Sequence, residues 1–263
     1  GKDEHIVLTP PIQLTLEKHQ GILEKTLIEQ IHEIRVANNI AREAHVKSLQ
    51  MLARAAEYHD DATSRHINRV GAYSALLTKN LGMSADEQDV MLNAAPMHDV
   101  GKVGIPYQIL TKPGKLDAQE FALIKEHCVI GYDILKDEDH PYHKAAAVIA
   151  LSHHERFNGQ GYPCNLHGKE IPLYGRIVAV TDVYDALISP RVYKPAWTVE
   201  QAVEHIRSES GKHFDPNIVE CFLDSLDELD AIRRYLDQEE ERSNHHDDLM
   251  SLKNFLLQAN RSN

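Results

Sequence analysis

Residues 144–163 read Lys-Ala-Ala-Ala-Val-Ile-Ala-Leu-Ser-His-His-Glu-Arg-Phe-Asn-Gly-Gln-Gly-Tyr-Pro. The first half, Lys144–His154, is a helical run with an apolar block at Ala145–Leu151. Two adjacent imidazoles close it. The chain then changes character: Gly159, Gly161, Pro163, Gly168, Pro172 and Gly175 make 155–175 a long loop. A loop of that length inside a helical domain is usually functional. Gly159 and Gly161 permit a tight turn, and Pro163 fixes its exit.

Outward from this stretch the pattern is helix after helix, as at Ile67–Asn80 and Ala118–His127. Strand alternation is scarce, so the expected fold class is all-α. Residues 1–12, ending Thr9-Pro10-Pro11, read as an irregular leader. Residues 13–57 read as a helical, coiled-coil-like stalk. Leu23, Leu27, Ile31 and Ile34 step by four, four and three onto one stripe, which continues more polar through Asn38, Ala41, His45 and Ser48 to Leu52. The stripe suits a dimerising stalk, the alternative being a single helix packed on the domain C-terminal to it. The main helical domain is expected over 58–236. Residues 237–263 form an acidic tail with a short amphipathic stretch, Leu249, Leu252, Phe255 and Leu256.

The 263 residues are 42% hydrophobic and 26% charged, an ordinary globular balance. No run is long and apolar enough to span a membrane, and no secretory signal is visible. The net charge of −12 argues against a generic duplex nucleic-acid binder. Cys128, Cys164 and Cys221 lie far apart without a CxxC pair, which suits a reducing cytoplasm.

Histidine is over-represented, at seventeen. His5, His19, His32, His45, His245 and His246 read as surface or satisfied residues. Five islands read differently: His66, His98-Asp99, His127, His153-His154, and Asp182 with Asp185. Imidazole and carboxylate without thiolate suit Fe, Mn, Zn or Ni. The surroundings of these islands look helical, and adjacent helical residues diverge by about 100°. Asp99 can therefore reach a second metal while His98 serves the first. The candidate ligands in these islands are too many for one tetrahedral ion and fit two metals sharing a bridge. Lys102, Arg191 and Lys194 add local cations, which in an acidic protein would hold an anionic substrate. Trp197 reads as core, and Cys164 as an incidental loop thiol.

His98-Asp99-Val100-Gly101-Lys102 resembles the HD signature of metal-dependent phosphohydrolases. His153-His154-Glu155 with Gly159-Gln160-Gly161-Tyr162-Pro163 resembles the signature of the HD-GYP subfamily. The resemblance extends through Ile105-Pro106, Lys112–Leu116, His127 with Gly131, Asp182–Leu187, Arg191 with Tyr193-Lys194-Pro195, and His213–Pro216. It implies an all-helical bacterial phosphodiesterase that hydrolyses cyclic di-GMP to pGpG, or on to GMP, by attack of a hydroxide activated by two metals. By the same resemblance the ligands are His66, His98, Asp99, His127, His153, His154 and Asp182, with Asp99 bridging. Lys102, Arg191 and Lys194 take substrate phosphates. Asp185 orients a ligand or the bound water and is grouped with Asp99 and Lys102 as catalytic. The metals are Fe or Mn, with Ni, Zn or Mg as alternatives. Members with a third metal often carry a Glu where this chain has Ala62, so two metals are expected, and pGpG as the end product. Gly161, Tyr162 and Pro163 shape the wall beside His153-His154, contact a partner such as a GGDEF domain, or contact substrate. Cyclic GMP-AMP hydrolysis and a non-catalytic receptor are the rival readings. A helical stalk ahead of such a domain looks like the output half of a response regulator, with a receiver domain upstream.

Overall fold

The computed structural model describes residues 10–57, 64–190 and 196–242. Among these residues there are ten α-helices and no strand, only isolated bridges between Asn158 and His167 and between Ser210 and Phe214. The chain divides into two compact units, Gly1–Ser48 and Leu49–Asn263.

Helix α1 spans Pro10–Glu57. It starts three residues inside the expected leader, because proline is tolerated in a first turn whose N–H groups lack intrahelical partners. In the first unit Leu23, Leu27, Ile31 and Ile34 are all exposed, and Ile22, Ile28 and Ile40 add to the apolar surface. The second unit takes in the last turns of α1, where Leu49, Ala53 and Ala56 are buried. The compact body thus begins before the expected boundary at residue 58.

In that body α2 (Ser64–Asn80) packs on α3 (Ala85–Ala94), α7 (Leu173–Ile188) and α10 (Leu226–Arg242). Helix α5 (Ala118–Leu135) lies along α6 (Pro141–Ser152), which also touches α3 and α7. The short α4 (Tyr107–Leu110), α8 (Val199–Ser208) and α9 (Pro216–Asp224) complete the set. Tyr73 of α2, Tyr184 of α7 and Phe222 of α9 are fully buried and meet ring to ring, at 5.8 and 5.0 Å between centroids. Capping boxes start α3 (Ser84 with Glu87), α5 (Asp117 with Glu120) and α8 (Thr198 with Gln201), satisfying otherwise orphaned N–H groups. Helix α10 runs to Arg242, past the expected end of the domain, because the acidic run is made of good helix formers. The amphipathic stretch at 249–256 lies outside the described residues.

The setting of His98-Asp99 differs from the helical one expected. Two 3₁₀ turns, Ala95–Met97 and Val100–Gly104, flank the pair. Pro96, Gly101 and Gly104 weaken a continuous α-helix here. The turn after Asp99 also lies against α5 so closely that a Cβ on Gly101 would stand 1.9 Å from the carbonyl oxygen of His127.

Candidate metal centre

Several elements aim their side chains at one interior region. Helix α2 supplies His66, the 3₁₀ turns supply His98 and Asp99, and α5 supplies His127. His153 and His154 follow the last residue of α6, and α7 supplies Asp182. Two groups result. In one, ligand atoms of His66, His98 and Asp182 lie within 4.8 Å of one another; in the other, those of Asp99, His127, His153 and His154 do. Asp99 joins them. Its Oδ1 is 3.2 Å from His127 Nε2 and 3.5 Å from His153 Nε2, while its Oδ2 is 3.4 Å from His98 Nε2. Asp182 Oδ1 stands 3.3 Å from His66 Nε2 and 3.7 Å from His98 Nε2.

The outer nitrogens explain why the inner ones are available. His98 Nδ1 lies 2.9 Å from the carbonyl of Ala95, and His127 Nδ1 2.6 Å from that of Ile124. His153 Nδ1 sits 3.0 and 3.1 Å from the carbonyls of Ile149 and Ala150. A carbonyl only accepts, so Nδ1 carries the hydrogen and, in the neutral ring, Nε2 keeps its lone pair for the interior. His66 Nδ1 faces a carboxylate, Asp185 Oδ2, at 2.8 Å.

Among the described residues, the buried atoms His98 Nε2, His153 Nε2 and Asp99 Oδ1 have no hydrogen-bond partner. Orphaned buried acceptors are costly unless something positive serves them. The nitrogen and oxygen donors, their spacing within 4.8 Å of one another in each group and these orphans all fit divalent cations of intermediate hardness.

The electrostatics point the same way. Burial alone would lower the pKa of His66, but hydrogen bonds and charge from Asp182 and Asp185 hold it up at about 10. The His98 pKa is likewise raised against burial by Asp99 and Asp182. Burial opposes ionisation of Asp99, yet Lys102 and His98 hold its carboxyl well below the usual range. Burial, reinforced by His153, keeps the His154 pKa well below its ordinary value. The two carboxylates demand positive charge, while His153 and His154 resist protonation and offer lone pairs.

Of the remaining predicted residues, Lys102 places its ammonium 2.6 Å from Asp99 Oδ2. Asp185, fully buried, stands behind His66 and is bonded by Arg69, whose Nε donates to Asp185 Oδ1 at 2.5 Å. Arg191, Lys194 and Ala62 lie outside the described residues. Tyr162 stacks on the ring of His154, 4.8 Å between centroids and 28° between planes, so the Gly161-Tyr162-Pro163 turn walls one side of the cluster.

The parts that two residues play in this geometry escaped the sequence reading, although one of them, Glu155, stands in the quoted signature. Arg69 also donates to Ser189 at 2.8 Å and to Asp237 at 3.1 Å, locking α2, α7 and α10 around Asp185. Its position one helical turn after His66 was the available signal. Glu155, buried, accepts the N–H groups of Cys164 at 2.6 Å and Leu166 at 3.0 Å and so closes the glycine-rich loop on itself. Trp197 is half-buried rather than core, with its ring edge-on to His205 at 5.6 Å.

The model of the HD domain family matches residues 50–218 of the chain. Over 210 residues it is 41% identical to the cyclic di-GMP phosphodiesterase response regulator RpfG of Xanthomonas campestris pv. campestris, covering 80% of this chain and 54% of that protein. It is 44% identical over 195 residues to 3'3'-cGAMP-specific phosphodiesterase 2 of Vibrio cholerae, covering 74% and 37%. It is 41% identical over 226 residues to a cyclic di-GMP phosphodiesterase of Thermotoga maritima, covering 86% and 60%. The chain thus spans roughly half the length of these relatives. The crystal structure of a cyclic GMP-AMP phosphodiesterase from V. cholerae superimposes with a TM-score of 0.59, covering 74% of this chain and 52% of that one at 20% identity, a likeness of fold.

Proposed function

The chain belongs to the HD domain family, and on that premise we propose that it is a metal-dependent HD-GYP phosphodiesterase that opens cyclic di-GMP to linear pGpG. The observation that carries this reading is the pair of ligand groups that adjoin through one carboxylate, Asp99, whose Oδ1 faces His127 and whose Oδ2 faces His98. One metal is assigned to His66, His98, Asp182 and Asp99, the other to Asp99, His127, His153 and His154. Two divalent cations, Fe or Mn, would supply Lewis acidity toward the phosphoryl oxygens and an acidified water. With Ala62 in place of a third-metal Glu, two ions and arrest at pGpG are the proposal.

The protein's own groups set the stage for that chemistry. Arg69 and Asp185 hold His66 at a fixed angle, which makes Asp185 a positioning residue. Lys102 offsets charge beside Asp99 where a substrate phosphate would approach. Arg191 and Lys194 are assigned to the substrate's phosphates. Hydrolysis adds water across one 3′-ester link of the ring and leaves a 5′-phosphate. Positioning the diester for in-line displacement is the main task left to these cations.

A second reading keeps the centre and changes the base: the 44% identity to a cGAMP-specific enzyme favours cyclic GMP-AMP. The exposed apolar stripe of the first unit supports self-association through the N-terminal helix. An upstream receiver domain, as in a response regulator, a GGDEF-domain partner and a bacterial cytoplasmic location complete the proposal. Among the described residues no helix is long and apolar enough to cross a membrane.

The test is anaerobic purification, metal counting by mass spectrometry, and chromatography of products from both dinucleotides. Two Fe or Mn per chain with pGpG from cyclic di-GMP is the expected result. Tight binding of metal and nucleotide without any product would replace the enzyme by a receptor.

A further inference from the structure

Helix α5 carries His127 into the metal centre, and one face of its preceding turns carries Phe121 and Lys125, four residues apart. The Lys125 ammonium lies 4.8 Å from the centroid of the Phe121 ring and 5.3 Å from that of Tyr162, within cation–π range of both. Tyr162 meets Phe121 edge to face at 6.1 Å and has one face engaged on His154. A continuous path of rings therefore leads from a predicted metal ligand outward. It ends on Phe121, which is 45% exposed.

Lys125 meets aromatic rings where several other lysines of this acidic chain meet carboxylates. Lys102, Lys112 and Lys136 each sit 2.6 Å from a carboxylate oxygen, whereas among the described residues Lys125 has no ion pair. An ammonium held by two aromatic rings and by no acid keeps its hydrogens for something else. It can donate and cannot accept. Beside an exposed aromatic ring, the complementary ligand is a flat ring with acceptors on its edge. Guanine presents two adjacent acceptors, O6 and N7; adenine presents N7 next to an amino donor that an ammonium repels.

We propose that Phe121 and Lys125, braced by Tyr162, form a base-recognition subsite that stacks one guanine of the dinucleotide and reads its O6/N7 edge. The proposal deepens the cyclic dinucleotide reading and rests on it. Its consequence is a preference for guanine at the base next to the metal centre. A cyclic GMP-AMP ring would then enter in one orientation and open at one of its two phosphodiesters.

The experiment uses the metal-loaded chain and equilibrium binding of GMP and AMP by calorimetry, with cyclic dinucleotide turnover followed separately. Wild type should bind GMP about tenfold more tightly than AMP, the lower range for a good base-edge contact. Lys125→Met keeps the aliphatic stem and should erase that preference by weakening GMP alone. Lys125→Arg, which presents donors to the same edge, should restore it. Phe121→Ala should weaken both nucleotides. Melting temperature and bound metal, measured on each variant, report whether the fold is kept. From cyclic GMP-AMP, wild type should yield a single linear isomer and Lys125→Met both. Equal weakening of GMP and AMP by Lys125→Met would mean a phosphate contact and overturn the proposal, as would a wild type that does not discriminate. Guanine preference lost in Lys125→Met, with no cyclic dinucleotide hydrolysed by wild type, would sink the phosphodiesterase reading and leave the subsite standing.

Discussion

Replacing Gly101 by alanine tests how tightly the metal centre depends on one backbone contact. The added Cβ would stand 1.9 Å from the carbonyl oxygen of His127, 2.5 Å from the Gly131 nitrogen and 2.8 Å from the His127 carbonyl carbon. All three are backbone atoms of α5, so no rotamer change relieves the clash. The 3₁₀ turn and α5 must part by about 1 Å or more, an overpacking strain at the upper end of its usual range, about 3 kcal/mol. For a body of about 200 residues that corresponds to a melting temperature lower by about 6–12 °C. The parting also moves Asp99, two residues upstream, away from His127, whose Nε2 is 3.2 Å from Asp99 Oδ1. Metal ligands tolerate displacements of about 0.2 Å, so metal content should fall as well. Gly104→Ala is the milder comparison: the three atoms nearest its Cβ all belong to the Ile130 side chain, from 2.9 Å, and none to the backbone. The assay is thermal denaturation by circular dichroism, with bound metal counted before heating. A Gly101→Ala protein that melts within about 2 °C of wild type and keeps its metal would refute the reasoning.

Asp99→Ala removes the carboxylate that lies between the two ligand groups and should cost metal and turnover together, measured by metal analysis and product chromatography. Glu155→Gln leaves the N–H groups of Cys164 and Leu166 with at most one neutral acceptor. A loss of about 2 kcal/mol in urea unfolding is expected from two weakened charge-assisted bonds. His213 supplies a pH dependence: burial first, then Arg156, lowers its pKa to about 4. Protonation thus favours the unfolded chain, so this residue's effect on stability is flat above about pH 6.5 and turns unfavourable as pH falls toward 4. The urea midpoint should decline over that window, less steeply in His213→Asn. Chelation should lower the melting temperature, and added metal should restore it, because the folded centre binds the ion and the unfolded chain does not.

The helical class was legible because the chain carries helix formers at helical spacing and few alternating strands. The seven His and Asp positions were legible as islands, and the structure draws them into two touching groups. What the sequence withheld were partners distant along the chain. Arg69 and Asp185 meet across 116 residues, and no local periodicity announces the pairing. The role of Glu155 was hidden because its acceptors serve a loop whose path is set by tertiary packing. The helical setting read for His98-Asp99 failed because Pro96 and the glycines favour short 3₁₀ turns, and because contact with α5 admits only Gly101. In α1 the apolar stripe was plain, but periodicity does not say what covers it.

The way the imidazoles are anchored sets where this chain can change length. His98, His127 and His153 each bond a carbonyl three or four residues earlier in the same turn or helix. Each ring therefore takes its aim from its own segment and carries it along when that segment moves as a unit. Residues gained or lost in the connections at 111–116 and 136–140 leave every anchor intact. A single residue gained or lost within α5 between Gly131, which packs on the 3₁₀ turn, and His127 would swing the ring by about 100° and point it out of the centre. Length variation among proteins of this kind should accordingly collect in those connections and spare the helical turns that carry an anchored histidine.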